Sequence, residues 1–459
     1  MSRRALMPSR VGLKHATKFA VCLVFIVQCS VLWAGHNFFR NNSVGGISIN
    51  PAGVVGQPVK GGRALLKKHL DHDVKSAPVD MSKVVRMRMI SLRQLEAAVD
   101  DARTKNFGEI PDEMKYLAGL QRIEYVFLYP EQNDIVIAGP GEGWRVDENA
   151  NVVGITTGRP VMLLDDLLVA LRCVNNAREG LGISCSIDPT QEGLRKLNTF
   201  LAKQTTFNRS IPKEMERELG PQRITLTGVP EDSHFARVMV AADYRMKRYA
   251  MDLEKAPVDG LPSFLDMMIE KKGKLSNMMP RWWLACNYES VARSEDGLAW
   301  QLRGPGVKAM TEESLIGSDG SVKATGHKNP IAQMWADSFT EKYDELSGKD
   351  IVFGELRNLM DMCVVAALIE KYGMLDRVGC KLPVITANES DLAIRSWNSP
   401  KTVASQCSFR KVGRNYLITA SGGVQVESWK VAEKTELVDT VRETKSQART
   451  PDGRKWWWN

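Results

Sequence analysis

Two stretches in which strand-like alternation passes directly into a helix start constrain the fold most. In Ile183-Ser-Cys-Ser-Ile187 apolar side chains alternate with serines, so every second residue can face one core. Asp188-Pro-Thr-Gln191 follows with an N-cap residue, a first-turn proline and a glutamine to close a capping box. Ile224–Gly228 runs the same way into Pro230-Glu-Asp-Ser-His234 and a helix to about Asp252. Strands that feed helices repeatedly need a sheet with helices on its face.

Hairpins interrupt these units. Ile123–Tyr129 and Ile135–Ala138 flank a turn at Pro130–Asp134, and Trp144–Val146 and Val152–Thr156 flank another at Asp147–Asn151. Val84–Ile90 reads as a strand leading into a helix capped at Ser91, and Leu163–Val174 reads as a helix. Beyond Leu261 the pattern changes. Pro280–Asn287 and Ala299–Arg303 read as strands, Gly304–His327 as irregular, Asn329–Leu346 and Asp350–Tyr372 as helices, and Val403–Phe409 and Tyr416–Val426 as closing strands. The second of those helices is apolar over most of its circumference and is expected to be buried.

The expected class is therefore α+β, a mixed sheet carrying helices, in two lobes. Residues 81–255 form the strand–helix lobe. Residues 256–429 form a second lobe with two long helices and a few strands. Residues 36–80 are a strand, a turn and a linker, and residues 430–459 a disordered basic tail.

Electrostatics depend on the first 35 residues. Arg3, Arg4, Arg10, Lys14 and Lys18 precede the apolar run Phe19–Trp33, an arrangement expected of a signal peptide, with an uncleaved anchor as the alternative. An extracytoplasmic body, periplasmic, envelope-associated or secreted, follows. Those five residues account for five of the net +8 charges and leave +3 on the rest, which removes the case for nucleic acid. In an oxidising compartment Cys173, Cys185, Cys286, Cys363, Cys380 and Cys407 are free to pair. Cys185 and Cys363 sit among apolar residues as ordinary core side chains.

No sequence pattern specifies a reaction. G-x-S-x-G, H-E-x-x-H and P-loop motifs are missing, and no cofactor or metal is implied. Gly139-Pro-Gly-Glu-Gly143 leads into a strand, so it is a tight turn rather than a dinucleotide fingerprint. The helix after His234 is the best candidate site. At 100° per residue Phe235, Val238, Met239, Ala242, Met246 and Tyr249 face a core, while His234, Arg237, Arg245 and Arg248 share a neighbouring stripe. Val240 and Tyr244 make the far side apolar, so a second cover is expected and the arginines line a groove. Aligned guanidiniums suit an anionic polysaccharide or envelope protein, unless Asp243, Asp252 or other acids pair with them. The rival reading is an extracytoplasmic hydrolase with His234 as general base, aided by Asp232 or Asp243, and Arg237 or Arg245 holding developing charge. Trp282 and Trp283 point to opposite faces of a strand, which leaves one for a sugar or polymer ring. The N-terminal segment and Trp456, Trp457 and Trp458 are the candidate membrane contacts.

Longer strings carry a resemblance. Pro111-Asp-Glu-Met-Lys-Tyr-Leu-Ala-Gly-Leu120 and Ala241-Ala-Asp-Tyr-Arg-Met-Lys-Arg248 lie within a likeness that spans about residues 84–426. Across that span the chain resembles an uncharacterised family of exported bacterial proteins, a domain of unknown function. The resemblance implies export and one shared architecture for the body. It implies no activity, cofactor or catalytic residue.

Overall fold

Alternating segments became strands, and sequence-distant partners complete their sheets. The structure, a computed structural model, describes residues 46–58, 62–105, 109–178, 182–205, 208–273, 279–387, 392, 394–412, 414–448 and 458. The expected signal or anchor, Trp456 and Trp457 lie outside the described residues. In chain order the strands of the two large sheets are β1 (Ser48–Ile49), β2 (Val54–Gly56), β3 (Val85–Ser91), β4 (Tyr125–Tyr129) and β5 (Asp134–Gly141). They continue as β6 (Ile183–Asp188), β7 (Gln222–Thr227), β8 (Arg281–Asn287), β9 (Val291–Arg293) and β10 (Ala299–Gln301). The last four are β11 (Gly306–Glu312), β12 (Thr402–Val403), β13 (Ser421–Val426) and β14 (Thr435–Leu437). The helices that matter below are α1 (Leu92–Lys105), α2 (Leu164–Arg172), α3 (His234–Ala250), α4 (Ile351–Lys371) and α5 (Asp439–Gln447).

One sheet has eight strands in the order β1-β2-β12-β7-β6-β13-β8-β11, and the other six in the order β14-β9-β10-β4-β5-β3. The fold is α+β. Both sheets take strands from either side of Leu253–Leu261, and Ser43–Asn459 is one compact unit, so the segments expected as two lobes interleave. β13 explains why. It pairs antiparallel with β6 and parallel with β8, closing a sheet that neither segment completes alone.

α3 lies on this sheet against β6, β8 and β13, and α2 and α4 cover its opposite side. The approach to β13 is close: a Cβ on Gly422 would lie 2.7 Å from Asp243 Oδ1. The expected second cover of α3 is therefore present. α4 is buried over most of its length, as its apolar circumference requires. Among the described residues no helix is long and apolar enough to cross a membrane.

Several boundaries differ from expectation. The helix expected over Asn329–Leu346 breaks at Lys342 into Pro330–Glu341 and Tyr343–Lys349. Gly304–His327 contains β11 and the hairpin Ser314–Ile316 with Val322–Ala324, although its glycines suggested irregular chain. Asp188 ends β6, and Thr190 is the cap that accepts the Gly193 N–H. The 430–459 segment is ordered where described: β14 pairs with β9, and Val441 of α5 is buried in a small second core. Its polar composition hid the free sheet edge and the few apolar anchors, Ala432 and Val441 among them, that fix it.

A single buried carboxylate sits where the chain crosses between sheets. Asp361 of α4 accepts from Tyr288 Oη at 2.6 Å and from Arg122 Nε at 3.2 Å. Tyr288 lies between β8 of one sheet and β9 of the other, and Arg122 also donates to the Gly304 carbonyl between β10 and β11. Removing one partner of a buried ion pair leaves the other charge uncompensated. Asp361→Ala is therefore expected to cost about 3–5 kcal/mol in denaturant unfolding, far above a typical surface substitution.

Candidate functional site

The sequence that starts α3 is locally sufficient: Ser233 is the N-cap, its Oγ accepting the Ala236 N–H. The helix then buries 15 of its 17 residues, leaving only Arg245 and Arg248 partly exposed. The stripe expected to line one groove is thereby divided. His234 and Arg237 lie at the covered N-terminal end, and Arg245 emerges 11 residues later, roughly 16 Å along the axis.

At the N-terminal end, His234 Nδ1 lies 2.9 Å from Asp166 Oδ2 of α2, with both side chains buried. Its partner is Asp166, not Asp232 or Asp243. Asp232 instead holds the segment after Arg395: its Oδ2 accepts the Ser396 hydroxyl and its carbonyl the Trp397 N–H, both at 2.7 Å. Asp243 faces the sheet and is ion-paired to Lys247 at 2.7 Å. Burial pushes the Asp243 carboxyl above its ordinary range, with Lys247 opposing. Trp397 covers the His234 end. Its ring centroid is 5.9 Å from the imidazole, and the Arg237 and Arg395 guanidiniums lie 4.8 and 4.6 Å from it. Burial brings Arg237 down to about 10, and the nearby Arg395 charge acts in the same direction.

Burial also disfavours a charged imidazole, but Asp166, with Glu355 beyond it, outweighs that and holds His234 above its ordinary value. Glu355 belongs to α4, and its Oε2 is shielded from solvent with no hydrogen-bond partner among the described residues. Burial pushes its carboxyl up to about 7, against the opposing pull of His234.

At the C-terminal end the arginines are engaged. Arg245 is 3.0 Å from Asp350 and 3.1 Å from Glu254, whose other oxygen is 3.1 Å from Arg248. Asp350 occupies the N-cap position of α4 but spends its side chain on Arg245 and on the Tyr249 hydroxyl at 2.5 Å. An open row of guanidiniums is thus corrected to two paired ones, because acids from a following turn and from α4 pack against them. The Asp350 contact first, with Tyr249 and Glu254, offsets the effect of burial and keeps Arg245 above its ordinary pKa.

A half-open pocket of about 250 Å³ sits beside Arg245, walled by Tyr249, Glu254, Lys255, Lys349 and Asp350 and by the 147–151 turn. Each of its three cations already has a carboxylate: Lys255 has Asp252 at 2.6 Å and Lys349 has Glu345 at 2.8 Å, beside the Arg245 pairs. In that turn Asp147 Oδ1 accepts the N–H groups of Asn149 and Asn151, so the loop is rigid at the pocket wall.

The tryptophans do not join this pocket. Trp282 is fully buried, meeting Phe264 and Trp335 edge-on at 5.0 and 5.1 Å, so it is core rather than a binding surface. Trp283 is half-buried on the other face, opposite Met310 and Gly423. Asp166, Glu355, Glu254 and Trp397 were missed from sequence. The adjacent acids Asp165-Asp166 in an otherwise apolar helix were the available signal. Among the described residues no cluster of His, Cys, Asp or Glu is arranged to hold a metal ion.

His234 and Glu355 both bind protons more tightly in the folded chain than in the unfolded one. Their contribution to stability is complete below the unfolded values and is lost as pH rises through the folded ones. Unfolding free energy is therefore expected to fall between about pH 5 and 8. Glu355→Gln removes its share of that slope, on the order of 1–3 kcal/mol, in denaturant melts across that range.

A comparison with known protein families covers α3 from its N-cap to the turn beyond it. None of the curated proteins and none of the solved structures matches the chain. Residues 185–264, which run from β6 through α3 to Lys255 and beyond, match the family described as a protein of unknown function (DUF1598), and the chain carries a domain of that family there.

Proposed function

We propose that the protein is an exported binding module of the cell envelope whose ligand enters the pocket beside Arg245, and that this ligand is a hydroxyl-rich molecule without net charge, such as a neutral saccharide. The basic leader ahead of Phe19–Trp33 supports export. One observation carries the choice of ligand: every cation on the pocket wall is already matched by a carboxylate within hydrogen-bonding distance. A polyanion would have to break those pairs and leave buried acids such as Asp350 uncompensated. A neutral polyol needs only the donors and acceptors that fixed Asp, Asn, Arg and Tyr groups offer. Calorimetric titration with neutral mono- and disaccharides is expected to give saturable binding. Asn149→Ala should weaken it about tenfold while altering stability by no more than about 0.5 kcal/mol. Binding confined to sulfated or uronic polymers and lost with salt returns the anionic partner, and no binding to any of these discards the module.

A hydrolase with His234 as general base is the second reading. It rests on the 2.9 Å contact with Asp166, which would orient the imidazole, and on Glu355 poised near 7. His234→Gln would then abolish turnover of a responsive ester, amide or glycoside at least about a hundredfold. Absence of turnover by the wild-type chain across such a panel removes this reading.

A further inference from the structure

The six-stranded sheet ends at β3, which pairs with β5 on one side only. On its other side Ile90 forms an antiparallel bridge with Trp458, the penultimate residue. The Trp458 ring is partly buried against the main core, and the Arg88 guanidinium lies 5.4 Å from its centroid. Arg88 is itself buried and fixed, its Nη2 donating to the Met81 carbonyl at 2.9 Å. A strand edge presents unpaired backbone groups that recruit an extended segment, and a tryptophan on a cationic platform adds area and direction to that pairing.

The distance from α5 to this place is within the reach of ten residues. α5 packs on β9 and β10 of the same sheet, and the Tyr129 hydroxyl of β4 donates to the Ala448 carbonyl at 3.0 Å. β4 and β3 are two strand spacings apart, roughly 10 Å, and ten residues span up to roughly 33 Å.

We infer that the β3 edge with Arg88 is a docking site for an extended tryptophan-bearing segment, and that its occupant is the Trp458 segment of this same chain. Trp458 thereby covers the outer side of β3, which no strand of the sheet pairs, and is withheld from membrane contact. The site shares no residue with the lining of the Arg245 pocket and is independent of what that pocket binds.

Hydrogen–deuterium exchange on the full-length chain tests the seat. In Trp458→Ala the amides of residues 85–91 are expected to exchange at least about tenfold faster than in wild type, with those of β6 and β7 unchanged. Trp458→Phe, which keeps a ring over Arg88, is expected to fall between the two. A synthetic peptide of residues 454–459 should restore protection to the Trp458→Ala protein in a saturable way and leave the wild type, whose edge is filled, as it was. Equal exchange at residues 85–91 in all three proteins overturns the inference. So does a rise shared equally by β6 and β7 in both variants, or a peptide that restores nothing.

Discussion

Asp361 carries the architecture. A carboxylate with no exposure to water is tolerated only where its charge is met, and here Arg122 pairs with it while Tyr288, at the crossing between the sheets, donates a hydrogen bond. Tyr288 stands where the chain leaves the eight-stranded sheet for the six-stranded one, and Arg122 ties the turn by which it returns. α4 delivers the carboxylate to that crossing because it is apolar almost all round and can run through the interior. The sheets, the buried helix and the crossing are thus one problem with one solution, and interleaving of the two sequence halves follows from it.

The placement of α3 has a parallel logic. A helix between a sheet and two other helices has no face left for a groove along its length, so Asp243 and Lys247 neutralise each other inside and the polar stripe is divided between the two ends. The N-terminal collection is sealed beneath Trp397 and is rich in acids from α2 and α4. The C-terminal collection opens to solvent with its charges balanced. One stripe of four residues therefore yields two chemically different places.

Local features were legible in the sequence. The turn at Pro130–Asp134 gave the β4–β5 hairpin, Ser233 and His234 fell at the start of α3, and the all-round apolar run over 350–372 gave a buried helix. Each depends on residues within a few positions of one another. What was not legible depends on partners far along the chain. Asp350 lies 105 residues from Arg245, and nothing in either neighbourhood announces the pair. A row of arginines on a helix looks the same in sequence whether its counter-charges come from solvent, a ligand or a distant helix. The tail misled for a similar reason. Its composition is that of a solvated segment, yet the free edge at β9 and the buried Ala432 and Val441 anchor its described residues. The tryptophans at 282 and 283 were ambiguous by construction, since strand alternation sends one inward without saying which.

All six described cysteines are unpaired and buried. Burial raises the Cys173 and Cys380 thiols to about 11 and the Cys286 and Cys407 thiols to about 12, and lifts Cys185 and Cys363 well above their usual value. Thiolate is the species that attacks a disulfide, so at neutral pH these sulfurs are almost inert. Among the described residues no disulfide therefore staples the fold, which is held by packing and polar contacts alone.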